Sequence, residues 1–510
     1  MFLSPNHVVL GLPLCLLPYI VLRIFAARLQ SSNKKRRTAI LHGLGRPNSQ
    51  IVGFFHPYCN AGGGGERVLW TAIASIQRLE PDIVSVVYSG DTDSTKELIL
   101  DKVKSRFAII LDPSTVHFVF LASRKLVEDS SWPRFTLLGQ SIGSMYLAWE
   151  AMSLLIPDLY IDTMGYAFTF HVVSLLGSIP VGAYIHYPTI STDMLARVKT
   201  RTRGHTNSGA ISSSSILSRG KLLYYRVFMY YYALSLQVAS FIMVNSSWTK
   251  NHVDGILNHS DALLDAAHTF SPLLFVRLLL PFRFRATEAR IVYPPCDTRE
   301  MARFTLQGRQ KIVLSVAQFR PEKDHSTQLH AFHELLETHP DYKSDGALPV
   351  KLVLVGGSRN ADDAARVDNL RELAKRLTIE NQVEFVVNAS YPVMLGWLAK
   401  ASIGLSTMVD EHFGINVVEF MAAGVIPIAH ASGGPLRDII VPFNGLPTGY
   451  HAETPTDFAD AIHTALTLPA EEEFALRLRA RTWAVQRFSE EEFEKEWNES
   501  GWKHHLSPAQ

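Results

Sequence analysis

The chain has 510 residues, with 49 lysines and arginines against 48 aspartates and glutamates, so its formal net charge is +1. This balance excludes a nucleic-acid binder whose positive charge is spread along the chain, and at about 150 residues per domain the length suggests about three domains, or two with added segments. Hydrophobic residues make up 47% and charged residues 19%, below the ~25% charge of typical soluble domains, which predicts a large core and some contact with a membrane. Three cysteines without a CxxC pair exclude a disulfide scaffold and favour a reducing compartment.

An apolar segment lies at the N-terminus. Residues Val8 to Leu29 are interrupted by only two charged side chains, Arg23 and Arg28, and the run Lys34–Arg37 follows. A membrane-spanning helix needs about 20 mostly apolar residues, and arginines near its end can extend their charged groups to the interface. Positive charge after the apolar run favours a retained anchor over a cleaved signal peptide, and it places the body of the protein in the cytosol. A signal peptide and a buried hairpin are the alternatives.

The next part of the chain predicts an alternation of strands and helices. Residues 51–55 are apolar enough for a buried strand, Gly62–Gly65 form a turn, and a helical pattern begins at Glu66. A strand, a glycine-rich turn and a helix begin a doubly wound α/β unit. Further short apolar runs indicate buried parallel strands. These runs are Ile83–Tyr88, Val116–Leu121, Leu159–Ile161, Val181–Ile185 and Phe241–Val244.

A second alternating series begins at Lys311, and its regularity predicts another parallel sheet with helices on both faces. The predicted strands are Ile312–Val316, Leu352–Val355, Val383–Val387, Ile403–Ser406 and Ile426–Ala429. The predicted helices are Thr327–Thr338, Ala361–Leu377, Pro392–Ala399 and Val417–Ala423.

The segment Tyr293-Pro294-Pro295 is suited to link the two series, because prolines stiffen a linker. The sequence therefore predicts a transmembrane anchor with a basic flank over residues 1–48 and a Rossmann-like domain over 49–295. A second Rossmann-like domain is predicted over 296–485 and a C-terminal helix over 486–510.

Two segments combine basic and aromatic residues. Residues 194–252 contain no aspartate or glutamate, and their part 220–245 is rich in tyrosine, phenylalanine and leucine; residues 270–285 have a similar composition. Cations suit anionic headgroups and aromatic rings suit the headgroup boundary, so both segments are predicted to contact a membrane. The alternative is a core helix beside a solvated loop.

The most specific pattern is the segment Glu411–Glu419, in which seven residues separate two glutamates. The segment follows a predicted strand and leads into a predicted helix, whose first N–H groups suit an anion. Gly414 lets the backbone approach a ligand closely, and the two carboxylates can accept hydrogen bonds from a sugar and a ribose. Such spacing is common by chance, so the interpretation depends on the flanking strands and the turn.

At these residues the chain resembles the retaining glycosyltransferases of the B fold. Within that group it is similar to the family of GDP-mannose-dependent α-1,2-mannosyltransferases that act on dolichyl-diphosphate oligosaccharides, over most of residues 50–500. The resemblance implies an α/β protein of glycosyltransferase-B architecture, with two doubly wound Rossmann-like domains facing a cleft and an N-terminal transmembrane helix. Besides the glutamate pair, the similar segments are His56–Trp70, His186–Pro188, Asn245–Thr249 and Tyr293–Asp297.

The resemblance also implies roles for individual residues of the second half. Glu411 would contact the transferred mannose and Glu419 the ribose of GDP. Arg320 and Lys323 would neutralise charge on the departing GDP, which is the electrostatic task of this reaction; the alternative is a pair of exposed loop cations. The sugar and diphosphate would contact the backbone of Phe413, Gly414, Ile415 and Asn416.

In the first half, the resemblance places His186 near the sugar, where it would hydrogen-bond mannose or polarise the acceptor. A structural histidine is the alternative. The backbone N–H groups of Gly62, Gly63, Gly64 and Gly65 would face a phosphate, either of GDP or of the dolichyl diphosphate, unless the run is a flexible turn. The triplet Asp91-Thr92-Asp93 resembles a metal-binding D-x-D motif but follows a strand of a different architecture. No metal and no cofactor are expected.

The resemblance implies an enzyme that transfers mannose from GDP-mannose in α-1,2 linkage, with retention, to Man3GlcNAc2-PP-dolichol. It would add the fourth and fifth mannoses on the cytosolic face of the endoplasmic reticulum membrane. The expected partners are the dolichyl-diphosphate oligosaccharide, GDP-mannose, the membrane and other mannosyltransferases of lipid-linked oligosaccharides, and not nucleic acid. The alternatives are a sister glycosyltransferase with another donor or acceptor, and a non-catalytic scaffold of a glycosylation complex.

Overall fold

A computed structural model describes residues 5–190, 215–269 and 286–506; for residues 5–19, 215–218 and 268–269 only the backbone is described. The chain divides into two units. The N-terminal unit comprises residues up to 245, residues 249–292 and the chain from 497 onward, and the C-terminal unit comprises residues 246–248 and 293–496.

The N-terminal unit is built on a parallel sheet of seven strands in the order β3-β2-β1-β4-β5-β6-β7. Every residue of β2 is buried, as expected for a strand covered on both faces. The strand order reverses between β1 and β4, and ligands of open α/β sheets collect beside such a reversal, at the carboxyl ends of the strands. The strands are β1 Gln50–Phe55, β2 Ile83–Ser89, β3 Val116–Phe120, β4 Leu159–Asp162, β5 Val181–Ile185, β6 Phe241–Val244 and β7 Arg290–Ile291.

Helices connect these strands in chain order. They are α1 Pro5–Gly43, α2 Gly64–Leu79, α3 Lys96–Phe107, α4 Thr136–Leu154, α5 Thr169–Gly177, α6 Ser215–Leu236, α7 Ser247–Leu257 and α8 Ala262–Thr269. Buried side chains of α4, α5 and α6 share one hydrophobic core with Ala26 and Leu41 of α1.

The C-terminal unit is built on a parallel sheet of six strands in the order β10-β9-β8-β11-β12-β13. Here the order reverses between β8 and β11, which pair directly. The strands are β8 Gln310–Val316, β9 Lys351–Gly356, β10 Val383–Val387, β11 Ala401–Ser406, β12 Ile426–His430 and β13 Tyr450–Ala452. The helices are α9 Thr298–Met301, α10 His325–Thr338, α11 Ala361–Arg376, α12 Tyr391–Lys400, α13 Ile415–Ala423, α14 Pro455–Leu466, α15 Ala470–Phe488 and α16 Glu490–Glu499.

The prediction of two parallel α/β sheets is confirmed, and the longer elements lie within a few residues of their predicted bounds. Two strands at sheet edges were not predicted. They are β7, with two residues, and β13, with three. Segments this short carry no readable periodicity, and their pairing depends on a neighbouring strand that only the fold supplies.

The predicted N-terminal anchor forms a helix, α1, but its second half packs against the N-terminal unit. Gln30 Nε2 donates to Leu176 O at 2.8 Å, Asn33 Oδ1 accepts from Ile156 N at 2.8 Å, and Arg37 pairs with Asp158 at 2.6 Å. Among the residues that the structure describes, no helix is both long enough and apolar enough to span a bilayer. The expected transmembrane helix is therefore not found in the described part of the chain.

The basic-aromatic segment over 220–245 coincides with α6 and β6. The rings of Tyr225, Phe228 and Tyr232 are buried in the core of the N-terminal unit, so these side chains pack against protein, as the alternative interpretation expected. The other such segment, 270–285, lies outside the described residues.

Candidate functional site

The predicted donor-binding turn connects β11 to α13. Gly414 has φ +111° and immediately precedes the first residue of the helix, Ile415. This left-handed conformation is accessible to glycine at little cost, and it turns the chain so that the N-terminal N–H groups of α13 face the carboxyl edge of the sheet. The turn therefore forms as predicted, with Glu411 before the helix and Glu419 in its second turn.

Two glycines from the loop after β12 pack against the backbone of this turn. A Cβ atom on Gly433 would lie 2.2 Å from Glu411 O, and one on Gly434 would lie 2.5 Å from Phe413 O. Gly434 N also donates to Glu411 O at 2.8 Å. The absence of side chains at Gly433 and Gly434 thus allows two loops to support each other beneath the glutamate.

The turn places Glu411 beside Lys323, which comes from the loop after β8. The Lys323 ammonium group forms an ion pair with the Glu411 carboxylate, and both side chains are mostly buried, with 22% and 13% exposed. The two residues were predicted as a sugar contact and a diphosphate contact; the structure brings them together as a pair. Arg320 Nη1 lies 3.7 Å from Glu322 Oε1, in a more exposed position at the same loop.

The loop that carries Arg320 and Lys323 is attached to the end of β11. The Thr407 hydroxyl lies 3.0 Å from the carbonyl oxygens of Lys323 and Asp324, and Gln328 Nε2 donates to the same hydroxyl at 3.0 Å. Thr407 and Gln328 are buried. Since Thr407 lies four positions before Glu411, the same segment positions both members of the ion pair.

Other predicted donor residues lie at this edge of the sheet. Asn416 Nδ2 donates to Val316 O at 3.2 Å, at the end of β8, and Glu419 is partly buried. The C-terminal unit thus gathers the predicted Arg320, Lys323, Glu411, Glu419 and the turn 413–416 at the carboxyl ends of β8 and β11. Ligands of doubly wound sheets bind at this position.

Three arginines bind the last carbonyl groups at the opposite end of α13, and no pattern in the sequence indicates this role. Arg477 Nη1 donates to Gly424 O at 2.7 Å and to Ser402 O at 2.9 Å. Arg481 Nε donates to Ala422 O at 2.8 Å, and the Arg309 guanidinium contacts Ala423 O. Burial and the neighbouring arginines lower the pKa of Arg309 to about 9. Cations at a helix C-terminus satisfy its last carbonyls and oppose the negative end of its dipole.

Replacing Arg477 is expected to destabilise the C-terminal unit. The side chain is 1% exposed, and Arg477→Met leaves two buried carbonyl groups without their donor, at a cost of about 3 kcal/mol. Thermal unfolding of the full chain should then shift by about 6–12 °C. The matched control is Arg376→Met, at the exposed end of α11, which should shift it by less than about 2 °C. Equal shifts for the two variants would contradict the capping role.

The donor turn is also held by a buried carboxylate, Asp438, in the π-turn Pro435–Ile439. Asp438 Oδ1 accepts from the Tyr293 hydroxyl at 2.8 Å, and Oδ2 accepts from Ser247 N at 3.1 Å. Burial raises the pKa of Asp438. One carboxylate therefore fixes two chain segments that are distant in sequence.

Both of those segments contact the donor turn through aromatic rings. The Tyr293 ring lies 5.7 Å from that of Phe413, and Trp248, next to Ser247, stacks on His412 at 5.4 Å. Two consecutive residues of this turn, His412 and Phe413, are thus supported by rings held by Asp438, directly through the Tyr293 hydroxyl and, for Trp248, through the backbone of its neighbour Ser247. No pattern in the sequence connected Asp438 with positions 248 and 293.

Asp438→Asn is expected to raise the KM for the donor about tenfold, which corresponds to about 1.4 kcal/mol. The single oxygen of the amide can accept one of the two hydrogen bonds, whereas its NH2 group faces the other donor and cannot accept from it. The rings of Tyr293 and Trp248 are therefore expected to shift relative to the turn. We expect kcat to change less than KM, since Asp438 acts through the turn. Asp460→Asn, on the exposed face of α14, is the control. A change in kcat alone would contradict a positioning role.

In the N-terminal unit, the glycine run Gly62–Gly65 follows β1 and continues into the first turn of α2. Gly62 N and Gly63 N donate to the two oxygens of Glu66, at 2.6 Å and 2.8 Å. Glu66 is buried, which raises its pKa. Two N–H groups predicted to face a phosphate therefore already hold a carboxylate of the chain itself, which stands where phosphate oxygens would accept the same hydrogen bonds. In the sequence, Glu66 only begins a helical pattern and does not stand out as a site residue.

The same loop is next to the predicted histidine. A Cβ atom on Gly65 would lie 3.3 Å from His186 Nε2, and the carbonyl of His186 accepts from Asn245 Nδ2 at 2.9 Å. Gly65 lies in the first turn of α2, the helix that follows β1, and His186 directly follows β5. The structure thus brings together the two features predicted separately in the first half, within the N-terminal unit.

A buried polar cluster lies beneath this loop. His56 Nδ1 is 2.8 Å from Thr163 Oγ1, and burial, with the nearby His186, lowers the pKa of His56 to about 3. Asp162 accepts from Gly165 N at 2.8 Å, and burial raises its pKa to about 7. His56 is therefore neutral at physiological pH. One of its ring nitrogens then donates a hydrogen bond and the other accepts one. No pattern in the sequence indicates a role for Asp162 or Thr163.

The triplet over 91–93 organises the loop after β1. Asp91 Oδ2 accepts from Asn60 N at 3.1 Å, and Oδ1 pairs with Arg124 at 2.5 Å. Asp93 is exposed. Within the described residues, no group of three or more histidine, cysteine, aspartate or glutamate side chains is arranged to hold a metal ion.

The two parallel sheets, with polar and charged residues gathered at the carboxyl ends of β8 and β11, are the arrangement expected of a glycosyltransferase. Residues 297–483 match the family described as glycosyl transferases group 1. The fold is similar to that of α,α-trehalose 6-phosphate synthase from Burkholderia multivorans, with a TM-score of 0.60 and 12% identity over 89% of this chain and 98% of that chain. It is also similar to that of Anabaena HepE in complex with UDP and glucose, with a TM-score of 0.54 and 14% identity over 88% of this chain and 98% of that chain.

Closer relatives identify the family. Residues 49–257 match the family described as ALG11 mannosyltransferase N-terminus. The GDP-Man:Man(3)GlcNAc(2)-PP-Dol alpha-1,2-mannosyltransferase of Mus musculus is 43% identical over 95% of this chain and 93% of its own length. The protein of the same name from Dictyostelium discoideum is 43% identical over 89% of this chain and 85% of its own length. The chain belongs to this family of α-1,2-mannosyltransferases.

Proposed function

We propose that this chain transfers mannose from GDP-mannose in α-1,2 linkage to the lipid-linked oligosaccharide Man3GlcNAc2-PP-dolichol. The observation that carries the proposal is the ion pair of Glu411 and Lys323 at the switch point of the C-terminal sheet, in a chain 43% identical to relatives named for this reaction. Two successive transfers, which add the fourth and fifth mannoses, are part of the proposal.

Donor binding is assigned to the C-terminal unit. The N-terminal N–H groups of α13 and the cations Arg320 and Lys323 surround the position of the diphosphate, whose negative charge grows as GDP departs. Glu411 accepts hydrogen bonds from mannose hydroxyls, and Glu419 accepts them from the ribose. Lys323 lies between Glu411 and the diphosphate, so it holds the carboxylate in its sugar-binding position and stabilises the leaving group.

Acceptor binding is assigned to the N-terminal unit. His186 hydrogen-bonds the mannose or the acceptor hydroxyl, and the loop of Gly62–Gly65 faces a phosphate. Because Glu66 already accepts hydrogen bonds from Gly62 and Gly63, a phosphate engages those two amides only when the Glu66 side chain turns away. Gly65, beside His186, lies close enough to couple the loop to the reacting groups.

Transfer with retention is proposed to proceed on one face of the sugar. The acceptor hydroxyl attacks the anomeric carbon on the face from which GDP departs, and the departing phosphate oxygen accepts the hydroxyl proton. No cofactor and no metal ion take part, since cations of the chain and the helix N-terminus offset the charge. Isolation of a covalent mannosyl-enzyme would overturn this mechanism.

The enzyme is proposed to act at the endoplasmic reticulum membrane, with both units on the cytosolic side. The support is the dolichol-linked acceptor in the names of its relatives and the basic run 34–37 after the apolar N-terminal segment. Attachment through the first residues of α1, and association with other mannosyltransferases of the same lipid-linked oligosaccharide, remain part of the proposal.

The test is a transfer assay with purified full-length protein, GDP-mannose, a synthetic lipid-diphosphate acceptor carrying Man3GlcNAc2, and a chelator. Mass spectrometry and an α-1,2-specific mannosidase would read the products. One or two added hexoses, both removed by the mannosidase, are expected. A product resistant to the mannosidase would overturn the linkage. No product, together with a GDP-induced thermal shift, would overturn the acceptor, and no product without such a shift would overturn the donor site.

A further inference from the structure

The outward face of α4 exposes an unusual series of large apolar side chains. Their exposed fractions range from 36% to 66%. Phe135 immediately precedes α4, Met145 and Tyr146 are adjacent, and the other successive members are three or four positions apart, so the series runs along one side of the helix. The opposite side of the same helix is buried in the core through Leu147 and Ala151. We call this series the α4 stripe; its members are Phe135, Leu138, Ile142, Met145, Tyr146 and Trp149.

Single exposed apolar residues are common, but a continuous row of them is not, and it indicates an interaction surface. Leu138 and Trp149 are eleven residues apart, so the row extends for about 16 Å along the helix. Tyr146 and Trp149 also contact each other, with ring centroids 5.1 Å apart. Tyrosine and tryptophan are the side chains enriched at the boundary between lipid tails and water.

The only acidic side chain of α4, whose residues are all described, is directed away from the stripe. Glu150 accepts hydrogen bonds from the backbone N–H groups of Ala122 and Ser123, at 2.8 Å and 3.2 Å. Its negative charge is thus used to hold the chain after β3. The stripe itself carries no charge, so burying it requires no desolvation of an ion.

Cations stand at the N-terminal end of the stripe. The Tyr224 ring of α6 lies 5.6 Å from the Phe135 ring, and its hydroxyl accepts from Leu138 N at 3.1 Å. These contacts bring the beginning of α6 to the beginning of α4. The exposed Arg219 and the partly exposed Lys221 lie within two turns of Tyr224 on α6.

Cations also stand at the other end. The guanidinium of Arg36 contacts the carbonyl oxygen of Ser153 in the last turn of α4. Arg36 follows Lys34 and Lys35 on α1, and all three are exposed. An apolar row that contains an aromatic pair and has basic residues at both ends complements a bilayer with anionic headgroups, where each nearby cation contributes about 1 kcal/mol.

We propose that the α4 stripe is the surface through which the N-terminal unit lies on an anionic lipid bilayer. The apolar side chains enter the boundary of the acyl chains, while the cations at both ends contact phosphate headgroups. The helix lies in the plane of the interface, since its inner face remains in the protein core. Bilayer contact through the α4 stripe does not depend on the donor or the linkage of the proposed reaction.

The first test measures binding of the full chain to vesicles of phosphatidylcholine with and without phosphatidylserine. Ile142→Glu combined with Trp149→Glu should weaken binding to the anionic vesicles about tenfold or more. The control combines Leu98→Glu with Ile110→Glu, two residues that are also exposed, with 59% and 76% accessible, but lie outside the stripe. Equal losses for both pairs would overturn the proposal.

A second measurement reads the stripe directly, because attachment through another part of the chain would keep every variant on the vesicles. Brominated lipids quench tryptophans that enter the acyl region, so quenching should be stronger in the wild type than in Trp149→Phe. Equal quenching in the two proteins would overturn the proposal. A dimer that Ile142→Glu converts to a monomer would also overturn it, because a second copy would then cover the stripe.

A transfer assay separates this proposal from the proposed function. Transfer to a water-soluble acceptor with a short lipid should be unchanged in the stripe variants. Failure of that transfer in the wild type would count against the proposed function alone.

Discussion

Glu411→Gln is expected to lower kcat/KM for mannosyl transfer by about a thousandfold, or about 4 kcal/mol of transition-state stabilisation. The amide removes the negative charge that faces Lys323 and replaces one acceptor oxygen by a donor, so the mannose hydroxyls lose an acceptor. The ammonium group of Lys323 loses its partner at the same time. Most of the loss should appear in kcat, since the contact matters most while the sugar gains positive character.

The matched control uses a second lysine–glutamate pair of the same unit. Lys351 and Glu384 pair between β9 and β10, away from the donor turn, and they are more exposed than Lys323 and Glu411. Glu384→Gln should leave kcat/KM within about twofold of the wild type, because an exposed pair contributes little. If Glu411→Gln transfers mannose at the wild-type rate, the assignment of the donor site is wrong.

Lys323→Met is expected to have an effect of similar size, with a different distribution between the kinetic constants. Removing the ammonium group leaves the mostly buried Glu411 carboxylate without its partner and places an uncompensated negative charge beside the diphosphate. We expect kcat to fall by about a hundredfold to a thousandfold and the affinity for GDP to fall as well. Product analysis by mass spectrometry and GDP titration by calorimetry would measure the two effects.

The double variant tests whether Lys323 and Glu411 act in transfer as one ion pair or as two independent groups. In Lys323→Met with Glu411→Gln the charges are removed together, so the loss should be smaller than the product of the two single losses, as is usual for residues that act as a unit. Fully additive losses would indicate that the ion pair has no role in transfer. Lys351→Met provides the control for loss of a lysine in this unit.

The sequence determined the layout of the proposed donor site because its parts are local. A strand, a glycine and a helix over positions 401–423 form the turn by themselves, and the loop after β8 brings Arg320 and Lys323 to the same sheet edge by the rules of parallel topology. The alternation of short apolar runs with amphipathic helices likewise predicted both sheets. In each case, residues close in sequence contain the required pattern.

The tertiary structure decided which side chains meet. The ion pair of Lys323 with Glu411, the support of the donor turn by Asp438, and the arginines around the end of α13 all join positions separated by 53 residues or more. Glu66 is the exception, since it lies only three to four positions from its partners, yet a glutamate in the first turn of a helix is too common to indicate this role.

The proposed membrane contact illustrates the same division. Composition and charge indicated a membrane-associated protein, and hydropathy directed attention to the N-terminal segment and to residues 220–245. In the fold, the rings of α6 are buried, whereas α4 exposes its apolar face. An apolar side chain has the same hydropathy whether it packs against a sheet or faces outward, so the sequence determined how much apolar surface there is, and only the packing of helices on the sheet decided which part of it stays exposed.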